Sequence, residues 1–211
     1  MHPVKNAQVG ENRLQIWDEK EQQPDMYGGE MDYQSLFTFI LEMAGTIAFA
    51  ASGAMVGAQR GMDIFGICVL GVVTAVGGGA TRDIILGIVP PGMFQNPIYT
   101  IVATVTSCIV FVIMYWKQEL LEGENRMVYD KIMLVMDSVG LGVFTVMGVD
   151  KGITEGYMGR TFFLVFLGTV TGVGGGLIRD MMAGVPPYIF VRHIYACASI
   201  VGAIVYVWIY R

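Results

Sequence analysis

The sequence runs to 211 residues, of which 54% are apolar or aromatic and only 15% are Asp, Glu, Lys or Arg, with a mean hydropathy of +0.57. That is too little charge to coat a soluble domain of this size, which sets aside the ordinary soluble classes and points to a membrane protein. The net charge of −5 is concentrated at one end: residues 1–35 hold seven acids and three bases and residues 36–211 hold eleven and ten, so the acidic balance describes a polar tail and not a class of partner.

Residues 1–35 lack the basic-then-apolar order of a signal peptide. They read as a hydrophilic tail with a short amphipathic turn at Leu14, Ile16 and Trp17. Six apolar runs follow, and a helix needs about 20 apolar residues to cross a hydrocarbon core of roughly 30 Å. The runs are Leu36–Gly57, with Glu42 as its one charge; Ile64–Val89; Pro97–Trp116; Ile132–Val149, with Asp137 inside it; Thr161–Val185; and Ile194–Tyr210. A charged connector, 118–131, separates the third from the fourth. Continuous runs of this length do not suit a membrane barrel, whose strands alternate in polarity over short segments, so the fold class is all-α.

The chain repeats itself. "VGGGATRDIILG" at 76–87 returns as "VGGGLIRDMMAG" at 173–184, 97 positions later. Upstream of each copy stands an acid-x2-Gly-x3-Phe-x3-Gly pattern: Glu42, Gly45, Phe49 and Gly53 match Asp137, Gly140, Phe144 and Gly148. Downstream, Pro90-Pro91 matches Pro186-Pro187 and Ile98-Tyr99 matches Ile194-Tyr195. The layout is a tail (1–35), a first three-helix repeat (36–117), the connector (118–131) and a second three-helix repeat (132–211). Three is odd, so the second repeat enters the membrane from the opposite face, which makes an inverted repeat of the kind transport proteins use.

Three adjacent glycines cost about 1 kcal/mol each in a helix interior. The second and fifth helices are therefore expected to break at Gly77, Gly78 and Gly79 and at Gly174, Gly175 and Gly176. In lipid the freed backbone groups must then face protein or water. The competing reading is close helix packing, favoured for Gly53, Gly57 and Gly61 at their small-xxx-small spacing. Arg82, Asp83, Arg179 and Asp180 follow the triplets. Residues at i and i+1 point to different sides of a helix, so neither Arg is expected to pair with its neighbouring Asp, and each could meet an acid from the other repeat. The alternative places both pairs at helix ends, reaching for the interface. Glu42 and Asp137 lie about 9 Å into their helices, and are expected either one at each mouth of a shared path or as solvated helix-start carboxylates near the positive dipole end. Ionised, these four acids and two arginines leave an acidic excess that favours cations.

Cys68, Cys108 and Cys197 lie singly in apolar runs and read as small buried hydrophobes. Neither they nor His2 and His193 form a metal cluster, and no cofactor is expected. Enzyme signatures are missing: "GGGATRD" lacks the Gly-Lys-Ser/Thr ending of a phosphate loop. Ser52 with His193 is no protease dyad, because Ala50 stands where GxSG needs Gly. No basic patch with interleaved aromatics suggests nucleic acid. The bases near helix ends are almost evenly divided. Lys20, Lys151, Arg160 and Arg211 fall on the N-terminal side, and Arg60, Lys117, Arg126, Lys131 and Arg192 on the other. The positive-inside rule thus leans only slightly toward an external N-terminus.

The paired "VGGGxxRD" phrases, the "LExxGTxxFAxSG" and "MDxxGLxxFTxMG" starts and the run "GMDIFGICVLGVVTAVGGG" resemble bacterial membrane proteins with two glycine-transporter domains. That family is similar to the trimeric intracellular cation (TRIC) channels. The resemblance covers residues 36–210. It implies a homotrimer in the inner membrane, with one pore per subunit lined by the kinked second and fifth helices and passing monovalent cations, potassium above all. It makes Arg82 and Arg179 candidates for gating or pore-blocking hydrogen bonds. Two features depart from the family pattern: members usually add a seventh helix where this sequence stops at Arg211, and the polar N-tail is longer. The rival functions are secondary transport of a small solute such as glycine, and a membrane scaffold.

Overall fold

The computed structural model describes residues 33–116, 125–191 and 193–211. The amphipathic turn at Leu14, Ile16 and Trp17, residue 117 and connector residues 118–124, Arg192 and the side chains of His193, Ile194 and Tyr195 lie outside the described residues. The chain divides into Met1–Phe37 and Thr38–Arg211. The packing below is that of the second unit.

All described regular structure is helical. The elements are α1 (Tyr33–Gln59), α2 (Ile64–Leu86), the short α3 (Gly92–Gln95), α4 (Ile98–Trp116), α5 (Asn125–Gly152), α6 (Thr161–Met182), the short α7 (Tyr188–Val191) and α8 (His193–Tyr210). A π-helical turn over Ile153–Tyr157 extends α5. Five helices are long and apolar enough to cross a membrane; the last apolar stretch, Ala196–Tyr210, is shorter. Part of the expected connector is helical, since α5 begins at Asn125. Its first turns carry Arg126, Asp130 and Lys131, all exposed, as a helix end standing clear of the hydrocarbon allows.

Helix starts and stops have local causes. Asp63 caps α2 by accepting a hydrogen bond from the Gly66 amide at 2.7 Å. Gly87, at φ 74°, ends α2 in the left-handed conformation that a side chain would oppose. The expected breaks at the glycine triplets are absent. Backbone geometry is helical throughout α2 and α6, and the glycines serve packing. A Cβ on Gly78 would overlap the Thr171 carbonyl oxygen of α6, and one on Gly175 would overlap the Thr74 carbonyl oxygen of α2. The two glycine phrases therefore cross each other with backbone against backbone. An unbroken helix also keeps its amides bonded internally, which an apolar surrounding rewards.

The same device recurs in each repeat. A Cβ on Gly53 of α1 would stand 2.5 Å from Thr74 Oγ1 and 2.8 Å from Gly71 Cα. On the equivalent Gly148 of α5 it would stand 2.5 Å from Thr171 Oγ1 and 2.9 Å from Gly168 Cα. Gly57 likewise seats Ile67 of α2, whereas Gly61, at φ 66°, is a turn residue and not a packing one. Helices α1 and α5 meet through Phe49 and Phe144, stacked at 5.3 Å over the equivalent glycines Gly45 and Gly140. The cysteines are not core residues as expected: Cys197 is exposed, and Cys68 and Cys108 are half-buried with their sulfurs 3.5 Å apart. In a membrane bundle an apolar residue gains as much facing lipid as facing protein, so apolarity does not specify the core.

Candidate functional site

Two clusters carry chemistry, spaced along the α1–α5 contact. Glu42 belongs to one and Ser52 to the other, about 15 Å apart along α1 at 1.5 Å per residue.

The first cluster lines a cavity of about 410 Å³ at the beginning of α1 and the ends of α2 and α5. Its walls include Glu42, Arg82, Asp83, Tyr99, Asp150 and Lys151, with Phe144, Met147 and Gly79 on its apolar side. Arg82 bonds Asp83 Oδ1 through Nε at 2.9 Å and Nη2 at 2.8 Å. The other carboxylate oxygen, Oδ2, accepts the Gly92 amide at 2.8 Å. Glu42 accepts a hydrogen bond from the Tyr99 hydroxyl.

The second cluster is closed. Arg179 is 1% exposed, among the most buried side chains described. It bonds Asp180 Oδ1 through Nε and Nη2, both at 2.8 Å. Its Nη1 reaches Asp137 Oδ1 and Ser52 Oγ, each at 2.5 Å. Ser52 Oγ in turn donates to Asp137 Oδ1 at 2.8 Å. Asp180 Oδ2 accepts the Tyr188 amide at 2.8 Å, as Asp83 accepts that of Gly92. Two carboxylates around one guanidinium satisfy its fork and supply the compensation a buried charge needs. Among the described residues, no buried side-chain nitrogen or oxygen is left without a partner. Met55, Tyr129, Met133 and Ala183, next along the same helices, belong to one buried apolar cluster. The Tyr129 hydroxyl donates to the Met55 carbonyl.

Several expectations change. Each Arg does pair with the adjacent Asp: the i, i+1 rule concerns where side chains leave the helix, and the long Arg arm bends back within reach. Arg179 meets an acid of its own repeat, Asp137, and takes only Ser52 from the other. Arg179 is buried within the bundle, and Arg82 lies in the cavity wall at 15% side-chain exposure. Of the expected pore-lining residues, Glu42, Arg82, Asp83 and Gly79 line the cavity. Asp137, Arg179 and Asp180 sit in the closed cluster, and Gly78 and Gly175 sit at the crossing. Sequence reasoning set Ser52 aside as a failed nucleophile and used Phe49 and Phe144 only as repeat markers. The available signal was a hydroxyl ten residues after Glu42 in an apolar helix. The short helices α3 and α7 were also missed, although each follows a Pro-Pro pair.

A family model described as Glycine transporter matches the chain twice, over residues 39–115 and 134–211. The chain belongs to that family. It is 40% identical to the inner membrane protein YadS of Escherichia coli K12, over 83% of this chain and 80% of that one. It is 37% identical to a membrane protein of Deinococcus radiodurans, over 77% and 72%. Among solved structures it resembles a prokaryotic TRIC channel crystallised in 0.5 M KCl (TM-score 0.74, 31% identity, 82% and 83% covered). It also resembles a TRIC orthologue from Rhodobacter sphaeroides (TM-score 0.71, 31% identity, 81% and 82% covered). With its five long apolar helices and inner-membrane relatives, this family member is a multi-pass inner-membrane protein.

Proposed function

We propose that the chain is a membrane channel for monovalent cations, potassium first, and not an enzyme. It works as a homotrimer with one pore per subunit, needs no cofactor, and builds that pore between two inverted three-helix repeats. The observation that carries this reading is the line of features along the α1–α5 contact. An acid-lined cavity leads to the Phe49–Phe144 pair and the glycine crossing, and then to the buried Asp137–Arg179 cluster. The cavity charges are Glu42, Asp83 and Asp150 against Arg82 and Lys151, a net acidic lining that concentrates cations. The TRIC likeness supports the same reading. In the conformation described, the Arg179 end is shut.

One observation favours a second reading, secondary transport of a small solute such as glycine. A path open at one end and sealed at the other is what alternating access requires. Sealed vesicles separate the two. Under a potassium gradient with a voltage-sensitive dye, a channel carries potassium and takes up no labelled glycine. Saturable glycine uptake with no ion leak would reject the channel. Arg82→Ala and Arg179→Ala should change flux far more than Arg60→Ala, whose side chain is exposed in a turn. Equal effects from all three would remove the arginines from the mechanism.

A further inference from the structure

The two repeats carry an acid, Glu42 or Asp137, and an arginine, Arg82 or Arg179, at equivalent positions, yet only the Asp137–Arg179 pair is made. Arg179 holds Asp137 at 2.5 Å. Among the described residues Arg82 pairs with Asp83 alone, Glu42 bonds Tyr99, and a cavity lies between them. Among the positions at which the two acid-x2-Gly-x3-Phe-x3-Gly patterns differ, the residue before the last glycine is the one that reaches an ion pair: it is Ser52 in the first and Met147 in the second.

Ser52 crosses from its own repeat to the opposite pair. Its hydroxyl accepts from Arg179 Nη1 at 2.5 Å and donates to Asp137 Oδ1 at 2.8 Å, so it ties both ions. Met147, at the corresponding position of the second repeat, lines the same cavity as Glu42 and Arg82. A thioether has no proton to donate and accepts only weakly, so it cannot bridge that pair. It is also bulkier than serine where the acid and the arginine would have to close.

We propose that the Ser52/Met147 difference decides which end of the path is latched: Ser52 is the positioning residue that closes the Asp137–Arg179 end, and Met147 holds the Glu42–Arg82 end apart. The inference rests on the two clusters belonging to one path. Its test reads side-chain protection and not transport, so a failed flux assay would sink the channel reading and leave this one standing.

The test treats the purified full chain with a water-soluble carbodiimide and a small amine, then locates modified carboxyls by mass spectrometry. In the wild type Glu42 is modified and Asp137 is protected. Ser52→Ala removes the bridge without adding volume, and modification of Asp137 should rise about ten-fold, the factor expected when a hydrogen bond to a charged group is lost. Met147→Ser supplies the missing hydroxyl and space, and modification of Glu42 should fall by a similar factor. An Asp137 that stays protected in folded Ser52→Ala overturns the proposal. If Ser52→Ala does not fold, Met147→Ser decides alone, and Glu42 modified as in the wild type overturns it.

Discussion

Arg179 carries its charge inside an apolar bundle, and its partners determine how each neighbour responds to substitution. Removing Asp137 as Asp137→Ala leaves the guanidinium short of one counter-ion. Breaking a buried pair from one side costs about 3–5 kcal/mol. Thermal denaturation in detergent should therefore show a large drop in Tm. Glu42→Gln, on the wall of the cavity and held by the Tyr99 hydroxyl, should cost roughly 1 kcal/mol. Equal losses in the two variants would mean that the buried cluster is no more tightly held than the open one. The two aspartates beside the arginines have a double duty. Each gives one oxygen to its arginine and the other to a backbone amide of the short helix beyond the prolines. The arginine is thereby fixed to a turn outside its own helix.

At the level of helices, the glycine triplets separate into positions of unlike sensitivity. Gly78→Ala and Gly175→Ala each drive a methyl into a carbonyl oxygen of the facing helix. Overpacking of this kind costs about 1–3 kcal/mol. Gly79→Ala meets nothing nearer than Arg82 Nη2 at 3.8 Å, and the gain in helix propensity of about 1 kcal/mol should dominate. Denaturation of the three variants tests this, and a uniform response across the triplet would contradict the crossing. Pairing of α2 with α4 has its own check. Cys68 and Cys108, 3.5 Å apart, should join on mild oxidation and be detected as a crosslinked peptide.

These elements also mark how far the sequence could be read. Helix type, most boundaries and the two-fold repeat were legible, because hydrophobic run length and repeated spacing are local signals. The fate of the glycines was not. A triplet lowers helix propensity whether it marks a break or a close crossing, and only the facing backbone, here Thr74 and Thr171, decides between them. Ser52 was obscure for a similar reason: its partners are 85 and 127 residues away.

For the whole molecule, the proposed homotrimer predicts a trimer mass by native mass spectrometry at every detergent concentration that preserves flux in vesicles. A monomer of full activity would restrict the trimer to a scaffolding role. The exposed apolar side chains of α4, among them Ile101, Val105 and Ile109, suit either lipid or a neighbouring subunit.

The glycine crossing has a consequence for ancestry. Gly78 seats Thr171 and Gly175 seats Thr74, so the surface is complementary to itself. A polypeptide of half this length carries both sides of that joint and needs only a second copy of itself to complete it. The present chain carries two copies of the family unit, at 39–115 and 134–211, in one polypeptide. In a true dimer the two ends of the path would have to remain identical, because one gene would specify both. Fusion lifts that constraint and lets one half keep a serine where the other carries a methionine. On the proposed reading, the two ends of the path can then differ in how they close.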